Sequence, residues 1–585
     1  MKNIFRNITV VLFLATMVSC EDFIVRPPKD ELNPDNYFKT ASQCQLYTNE
    51  FYTILPSSSI YEETADYIIT TTLGRDIIGD RPVPATSDDW KWTKLRDINF
   101  FLSRSHQCED EAVRAEYEGL ARFFRAYFYY EKVKRYGDVP WVDRPMESTD
   151  KELYKGRDSR KIVMKHVLDD IDFAIDNLPS EKNVYRVTKW TALALKSRIF
   201  LFEGTFRKYH GLGDWEECLT EAAQAAEKFI DESGYTIYKS GEQPYRDLFA
   251  SIAAKSEEIV LARAYNDEIQ LTHGATDRYT KTSAGCPGLT KDVVNMYLMK
   301  DGSRFTDKPG YGTMNFASET KDRDPRMAQT IRTPGYKRID GSARLYPDFD
   351  ASTTGYQITK YVLSEAFSGS FNMAYNDLPI FRSAEVYLNF AEAKAELGTL
   401  TQNDLKKSVD KVRARVGMKS LDMAAANSKP DGYLDEAYPG VTGANKGVIL
   451  EIRRERTVEL LAEGFRYWDI MRWKLGQRFV RPFEGMYFPS IGACDIDGDG
   501  KNDHYLYGSG EGKKPGLDSK TGLINVAVSA LDLSGADKGN IRLHRSVERV
   551  FNENKDYLYP IPTEDIVLTS GVITQNPGWE DGLDY

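Results

Sequence analysis

The chain has 585 residues, a formal net charge of −11 at pH 7, 41% hydrophobic residues and 28% charged residues. This composition is typical of a globular protein long enough for several domains or for one array of repeats. The acidic balance and the lack of a strongly basic block argue against a nucleic-acid-binding protein.

The N-terminus has the layout of an export signal. Lys2 and Arg6 precede an apolar run over residues 8–18, which is too short for a membrane span of about 20 residues. The run ends in Met17-Val18-Ser19-Cys20, which resembles a bacterial lipobox with Met in place of the usual Leu. We therefore expect a signal peptide over residues 1–19 and lipidation of Cys20. The alternative is a plain signal peptide with an incidental cysteine.

Residues 20–32 carry charges and the pair Pro27-Pro28, which predicts a tether between an anchor and a folded body. Apart from this N-terminal apolar run, no segment of the sequence resembles one that enters a membrane. The chain is therefore predicted to be anchored to a membrane by lipid and not to span it.

Residues 33–270 read as an N-terminal helical region. Leu120, Phe123, Phe124, Tyr127 and Phe128 follow the i, i+3, i+4, i+7, i+8 spacing of a buried helix face. Later helices carry small residues such as those of "EAAQAA", which let neighbouring helices approach closely. This pattern is typical of TPR-like helical pairs, although the strict TPR consensus is not met.

Residues 271–378 are rich in Gly, Thr, Tyr, Asp and Pro and predict a loop-rich lobe. Helices resume in the C-terminal region, residues 379–585, and continue to about residue 476, where "NKGVILEIRRERTVELLAEGFRYWDIMRWKLG" predicts the longest helix. A loop-rich insert follows over about 480–545, and a tail with one short helix ends the chain.

Five segments are distinctive: "RAYFYYEKVKRYGDVPW", "RDPRM", "LPIFRSAEVYLNFAEAKAELG", "ERTVELLAEGFRYWDIMRW" and "YPIPTEDIVLTSGVITQNPGW". Together and in this order they resemble one family, the SusD/RagB-like outer-membrane lipoproteins of Bacteroidetes. The resemblance implies a mainly α, SusD-like fold with TPR-like helical pairs plus a loop-rich mixed lobe.

The same resemblance implies a lipid-anchored protein on the outer face of the outer membrane. Such proteins form a hinged lid over a SusC-like TonB-dependent transporter and capture glycans, or peptides in some branches, for import. Glu21 and Asp22 behind Cys20 resemble a surface-export signal of these lipoproteins.

The segment "EGFRYWDIMRW" brings Arg466, Trp468, Asp469, Arg472 and Trp473 close together. On a helix, Asp469 lies three residues from Arg466 and from Arg472, so ion pairs along one face are expected. A packed helix with paired charges explains the segment better than a site, and we expect no chemistry there.

The segment "DIDGDGKND" is the sharpest metal signal. Asp495, Asp497, Asp499, the carbonyl of Lys501 and Asp503 match ligand positions of an EF-hand loop, with Gly500 at the sixth position. Leu506 stands where the bidentate Glu is expected. We predict structural Ca²⁺ with a ligand set completed from elsewhere; the alternative is a solvated Asp-Gly turn.

The segment "DDWKWTKLRDINFFL" places two tryptophans in a loop before a helix. Exposed indoles are flat platforms for sugars, and neighbouring carboxylates and Arg can bind hydroxyl groups. The predicted ligand-binding residues are Trp90, Trp92, Asp66, Arg75 and Asp89. Burial of one or both indoles is the alternative, and Tyr311 and Tyr356 are weaker candidates.

Neither a disulfide framework nor a zinc knuckle is expected from Cys44, Cys108, Cys218, Cys286 and Cys494, which are widely spaced and lack C-x-x-C. A single bridge remains open. The sequence lacks H-E-x-x-H, a P-loop and G-x-S-x-G, so no catalytic cofactor is expected. The preferred function is non-enzymatic glycan capture; the alternatives are peptide capture and, less favoured, a surface glycosidase.

Overall fold

The computed structural model describes residues 37–507, 524–527 and 533–582. The predicted signal peptide, Cys20 and the tether lie outside these residues. Within the described ranges, no helix is both long enough and apolar enough to pass through a lipid bilayer.

Helices dominate this part of the chain, with short strands between them. The α-helices are α1 Ala41–Thr48, α2 Arg75–Ile78, α3 Thr93–Arg104, α4 Glu111–Tyr136, α5 Arg160–Asn177, α6 Lys189–His210, α7 Trp215–Glu232, α8 Pro244–Ala250, α9 Ala275–Thr280, α10 Lys291–Met296, α11 Phe316–Thr320, α12 Pro325–Ala328, α13 Ser383–Leu397, α14 Gln402–Lys407, α15 Val409–Ala414, α16 Met423–Ser428, α17 Gly432–Ala437, α18 Lys446–Glu459, α19 Arg466–Arg472 and α20 Thr563–Leu568.

The strands form small sheets. They are β1 Ile68–Ile69, β2 Ile259–Arg263, β3 Gly288–Leu289, β4 Leu378–Arg382, β5 Phe483–Phe488, β6 Gly492–Cys494, β7 His504–Tyr507, β8 Ile524–Ala527 and β9 Gly539–Leu543. Antiparallel pairs join β1 to β3, β2 to β4 and β5 to β9. In a three-stranded sheet, β7 pairs antiparallel with β6 and parallel with β8.

The helix α4 shows how local sequence sets the boundaries of the long helices. The side chain of Asp110 accepts hydrogen bonds from the backbone N–H groups of Ala112 and Val113, which caps the start of the helix. Gly137 ends it with a φ of 72°, a conformation that glycine adopts without a steric penalty. The predicted apolar face, from Leu120 to Phe128, is buried.

The predicted longest helix, over 445–476, is in fact two helices. The chain leaves α18 and turns through Ala462 and Gly464, whose φ values are 60° and 82°, before α19 begins. The freed backbone carbonyl of Leu461 accepts a hydrogen bond of 2.7 Å from the ammonium of Lys360. The prediction was wrong because a tertiary partner satisfies a carbonyl that a continuous helix would have bonded internally.

Two large apolar cores hold the molecule together. The first core contains α1, α3 to α7 and part of α13, together with Ile561, Ile566 and Ile573 of the C-terminal tail. The second contains the β1 segment, α8 to α10, α18, α19 and the C-terminal strands. Trp468 packs against both cores. The C-terminal tail thus packs with the N-terminal helices. The predicted boundaries at 270 and 378 stay predictions.

A network of buried ion pairs crosses the second core. Arg382 contacts Glu258 at 2.9 Å and Glu459 and Glu463 at 2.7 Å. Arg415 contacts the first two of these acids at 2.7 and 3.1 Å. Since the side chains of all five are at most 7% exposed, removing one partner would leave a buried charge without compensation.

We expect stability to fall as pH decreases from about 5 to about 2. Burial alone would raise the pKa of Asp66, Glu131, Glu392 and Glu459, but neighbouring cations lower each to about 2. A carboxylate whose pKa is lower in the folded than in the unfolded state stabilises the fold at pH values above its ordinary pKa, which is 3.8 for Asp and 4.5 for Glu. This stabilisation is lost as the pH falls and the carboxylate is protonated. Urea midpoints at pH 7, 4 and 2.5 will test this; a constant midpoint contradicts it.

Candidate functional site

A surface cleft of about 780 Å³ opens between the start of α3, the loop after α4 and helix α20. Its lining residues are Trp90, Trp92, Thr93, Leu95, Arg96, Asn99, Pro140, Val142, Arg144, Met146, Glu147, Ser148, Glu152, Leu153, Tyr154, Lys155, Asp565, Leu568, Thr569 and Ile573. The cleft is thus a concave, largely apolar surface with a few charged groups, which is the usual form of a ligand site.

The two tryptophans line the cleft but do not form a shared flat platform. Their rings are 5.3 Å apart and nearly perpendicular, at 88°. Trp90 is 2% exposed and packs edge-on against Tyr136, so for this indole the buried alternative holds. Trp92 is half-buried and packs against Phe128 on its other side.

A buried lysine fixes the backbone of the loop that carries Trp90 and Trp92, called the tryptophan loop below. The ammonium of Lys132 donates hydrogen bonds to the backbone carbonyls of Asp89 and Lys91, one on each side of Trp90. Burial lowers the pKa of Lys132 to about 7. The loop that carries Trp92 is therefore anchored to α4 through its backbone.

The outer wall of the cleft carries apolar side chains that face solvent. Tyr154 is 54% exposed, Leu153 38% and Leu568 68%. Val567 and Val572, which precede the lining residues Leu568 and Ile573 in sequence, are 55% and 50% exposed. Exposed apolar clusters of this kind are typical of interaction sites.

Charged groups stand among these apolar side chains. Arg144 pairs with Asp150 at 3.0 Å and with Glu152 at 3.2 Å, all three being at least partly exposed. Arg96 and Glu147 also line the cleft and are exposed. Together with aromatic faces, such donors and acceptors can bind the hydroxyl groups and the C–H faces of a sugar.

The C-terminal tail reaches the cleft from the far end of the chain. The backbone N–H groups of Thr563 and Glu564 donate to the carbonyls of Pro84 and Ala85 at 3.0 and 3.1 Å, which places α20 beside the tryptophan loop. Burial raises the pKa of Asp565, and its neighbour Glu564 raises it further.

The five predicted ligand-binding residues do not come together. Trp90 and Trp92 line the cleft, and Asp89 is exposed beside them. Arg75 is exposed at the start of α2 and is not part of the lining. Asp66 is 3% exposed, which removes it from any surface site. The reason is electrostatic: its carboxylate holds buried guanidinium groups.

Sequence reasoning missed the groups that the fold brings to the cleft from other segments. Tyr154, Arg144 and Leu568 are separated from Trp92 by tens to hundreds of residues along the chain. The sequence carries only weak local signals for Tyr154 and Leu568, a tyrosine beside a leucine in "KELYKG" and an apolar pair in "DIVLTS". Neither motif indicates which other segment lies against it.

The "EGFRYWDIMRW" segment is packed and ion-paired, with one predicted pair wrong. Asp469 pairs with Arg472 at 2.8 Å, as expected, and with Arg456 at 2.9 Å. Arg466 instead turns to Asp66, with its Nε 2.7 Å from the carboxylate. The long side chain reaches a buried carboxylate of another segment, which spacing along α19 could not indicate.

A second cavity, of about 210 Å³, lies beside α19 and is lined by charges that have partners. Lys134 pairs with Glu131 at 2.6 Å, and Arg198 pairs with Glu385 at 2.6 Å. We assign this cavity to the packing between helices. Of the weaker candidates, Tyr356 is fully buried and donates to Glu319 at 2.6 Å, and Tyr311 is half-buried.

The acidic loop lies between β6 and β7. Within the described residues, carboxylate oxygens of Asp495, Asp497 and Asp503 lie within 4.8 Å of one another, and Asp499 is outside this group. Asp503 accepts backbone hydrogen bonds from Ile496 at 3.0 and 3.1 Å. Three clustered carboxylates suit a hard cation such as Ca²⁺.

The loop differs from an EF-hand in its surroundings. Strands flank it, with Cys494 paired to His504, and Leu506 at the twelfth position is buried in β7. Burial raises the pKa of Asp497, and the nearby carboxylates raise it further. A cation would offset that repulsion.

Comparison with known proteins now adds to this geometry. Residues 249–579 match the family described as "SusD family", more than half of the chain. The chain belongs to the SusD family. Residues 88–201, which include both tryptophans and the loop after α4, match the family described as "Starch-binding associating with outer membrane".

Relatives cover nearly the whole chain at low identity. SusD-like protein P38 of Formosa agariphila is 22% identical over 520 residues, 83% of this chain and 94% of the relative. A SusD-like protein of Bacteroides fragilis has a solved structure with a TM-score of 0.67 and 21% identity, over 93% of this chain and 98% of that one. A SusD-like carbohydrate binding protein from the same species gives 0.62 and 19%, over 91% and 98%.

These matches confirm the predicted family and the mainly α, SusD-like fold. The TPR-like description of the helical pairs stays a prediction, although α4 packs on α5 and α6 packs on α7.

Proposed function

We propose that this SusD-family protein is a non-enzymatic, lipid-anchored glycan-binding protein of the cell surface. It captures oligosaccharides or polysaccharides in the cleft between α3 and α20 and delivers them to a SusC-like TonB-dependent transporter. The anchor is the lipid on Cys20, followed by the tether over residues 20–32.

The observation that carries this proposal is the cleft with Trp92 and Tyr154. Both side chains offer apolar ring surface to the cleft, and Arg96, Arg144 and Glu147 offer hydrogen-bonding groups beside them. A sugar ring combines an apolar face with a rim of hydroxyl groups, so it can use both kinds of contact at once. A solved relative described as a carbohydrate binding protein supports this choice of ligand.

Affinity electrophoresis against a panel of polysaccharides will test the proposal. Retardation in a glycan-containing gel without release of reducing ends is expected. Release of reducing ends would instead indicate a glycosidase. Binding to peptides alone, with no retardation by any glycan, would indicate a peptide-binding member of the family.

The membrane part of the proposal needs a separate experiment. Wild-type protein is expected to incorporate radiolabelled palmitate and to co-purify with an outer-membrane barrel protein. Cys20→Ala should abolish the label and leave the glycan affinity of the purified protein unchanged. Equal labelling of both proteins would contradict lipidation at Cys20.

We further propose that the loop of Asp495, Asp497, Asp499, Lys501 and Asp503 binds structural Ca²⁺. The three clustered carboxylates support this, and the carbonyl of Lys501 and a carboxylate of Asp499 would add ligands. Hard oxygen donors at alternate positions are the donor set that Ca²⁺ prefers.

Replacing Asp495 or Asp497 by Asn is expected to weaken Ca²⁺ binding about tenfold or more, because one charged ligand is lost. Isothermal titration of wild type and variants will measure this, with point changes used because a longer deletion would remove β6 and β7. Asp176→Asn, an exposed acid on α5, is the matched control. Equal calcium uptake by wild type and both loop variants would contradict the proposal.

A further inference from the structure

The cleft presents leucine side chains to solvent beside its aromatic rings. Leu568 on α20 is 68% exposed, and Leu153 in the turn Lys151–Tyr154 is 38% exposed. Both leucines line the cleft, and the half-buried side chains of Val142 and Met146 line it with them. The accessible apolar surface of the cleft is therefore aliphatic as well as aromatic.

Contacts between the turn and the C-terminal tail bring the two leucines to one cleft. Nη1 of Arg157 donates to Oδ1 of Asn576 at 2.7 Å, and Nη2 donates to the carbonyl of Gln575 at 3.3 Å. The backbone of Gly156 lies against Val572, where a Cβ atom would be 3.4 Å from the valine carbonyl oxygen. These contacts hold the segments of the two leucines side by side without using the leucine side chains themselves.

A leucine side chain is a poor surface for the hydroxyl groups of an ordinary sugar. An aromatic face attracts polarised C–H groups through its π electrons, and leucine has none. A hydroxyl group laid against leucine loses its hydrogen bonds to water and finds no partner, which costs free energy. A methyl group in the same place gains free energy, because its apolar surface and that of the leucine leave water together.

We propose that the glycan bound in this cleft carries methyl groups and that Leu153 and Leu568 recognise them, an inference that rests on the glycan capture proposed above. Two kinds of sugar supply such a group. One carries an O-acetyl ester, and the other is a 6-deoxy sugar, in which C6 is a methyl group. In both, the sugar ring keeps hydroxyl groups for the polar part of the cleft.

The charged groups of the lining argue against a purely apolar ligand. Arg96 and Glu147 are exposed in the cleft, and Arg144 pairs there with Glu152 at 3.2 Å. An acyl chain laid across these groups would remove water from them and offer no hydrogen bond in return. A ligand rich in hydroxyl groups that also carries methyl groups matches both the charged and the aliphatic parts of the cleft.

Paired ligands test the inference. Acetylated xylan and acetylated glucomannan are each compared, by affinity electrophoresis, with the same polysaccharide after mild alkali has removed its esters. Separately, L-fucose and L-galactose, which differ only at C6, compete for the polysaccharide that the protein retains. We expect de-esterification to lower the affinity about fivefold, or L-fucose to compete about fivefold better, which is the scale of one buried methyl group.

The outcomes separate this inference from the proposed function. A loss on de-esterification identifies an acetyl ester, and an advantage of L-fucose identifies a 6-deoxy sugar. No methyl preference in either comparison, with a polysaccharide of the panel still retained, would overturn the inference and leave glycan capture intact. Retention of no glycan at all would overturn the proposed function, and this inference with it.

Two leucine variants locate the preference. Leu568→Asn and Leu153→Asn replace exposed side chains, so their unfolding curves should stay close to wild type. Each should lose the methyl preference and bind the ligand without the methyl group within about twofold of wild type. Val567→Asn is the matched control, since Val567 is 55% exposed on the same helix and does not line the cleft. This control should keep the preference.

Full methyl preference in both leucine variants would overturn the assignment. If Leu568→Asn kept the preference but no longer co-purified with the outer-membrane barrel protein, the leucine would belong to a protein interface, and the proposal would be wrong.

Discussion

Replacing Asp66 by alanine is expected to lower the free energy of unfolding by about 3–5 kcal/mol, because it leaves buried charges without their partner. The carboxylate of Asp66 bonds Nε and Nη2 of Arg466 at 2.7 and 2.8 Å and also accepts from Nε of Arg478. The three side chains are at most 6% exposed. Urea unfolding at pH 7 will measure the loss.

Arg466 and Arg478 differ in the contacts that each keeps after Asp66 is replaced. Arg478 keeps an ion pair with Asp292 at 2.8 Å, whereas Arg466 keeps a hydrogen bond of 3.3 Å to the hydroxyl of Tyr438 and its stacking on Tyr67. Most of the cost is therefore expected at Arg466. Replacing Arg466 as well, in the double variant Asp66→Ala with Arg466→Met, should recover part of the lost stability.

The exposed residue Asp89 provides the matched control. It was predicted beside Asp66 as a sugar ligand, and its side chain is 52% exposed with Arg135 at 3.5 Å. Asp89→Ala is expected to change the free energy of unfolding by about 0.5 kcal/mol or less. If Asp66→Ala instead lowered glycan affinity and left the unfolding midpoint unchanged, the structural role of Asp66 would be wrong.

Replacing Tyr154 or Trp92 by alanine is expected to weaken glycan binding by roughly thirtyfold, or about 2 kcal/mol, which is typical of an aromatic anchor at an interface. Tyr154 is the cleaner test, since 54% of it is exposed and its loss leaves no hole in a core. Trp92 also packs against Phe128, so its variant needs an unfolding curve beside the binding measurement. Isothermal titration with the glycan retained on affinity gels will give both affinities.

Phe371 supplies the control for these variants. It is an aromatic side chain that is 55% exposed and does not line the cleft. Phe371→Ala should bind the glycan as wild type does. Unchanged affinity in both Tyr154→Ala and Trp92→Ala, with wild-type protein still binding, would place the glycan site elsewhere on the molecule.

Local patterns explain why the helices could be predicted. The capping carboxylate of Asp110, the apolar face from Leu120 to Phe128 and the final Gly137 each act on the chain close to them in sequence, and α4 follows them. The same reasoning failed over 445–476, where helix-forming residues stand on both sides of Gly464. There the interruption depends on Lys360, a partner from another segment.

The candidate site was only half visible for a similar reason. The tryptophan loop could be predicted because its characteristic residues lie next to one another in the sequence. Tyr154 and Leu568 come from segments distant in sequence, and Leu568 reaches the cleft because α20 packs beside Pro84 and Ala85. The role of a charged residue cannot be predicted from its neighbours in sequence either. Asp66 and Asp89 look alike in sequence, yet Asp66 is buried and Asp89 is exposed.

The sequence by itself determined the family, the helical class and the candidate acidic loop, because those depend on short-range spacing and on motifs in order. Only the tertiary structure decided that Asp66 pairs with two arginines and that Trp90 is buried. Burial and charge pairing arise between residues that are distant along the chain. Their free energies depend on separations in space that no local pattern encodes.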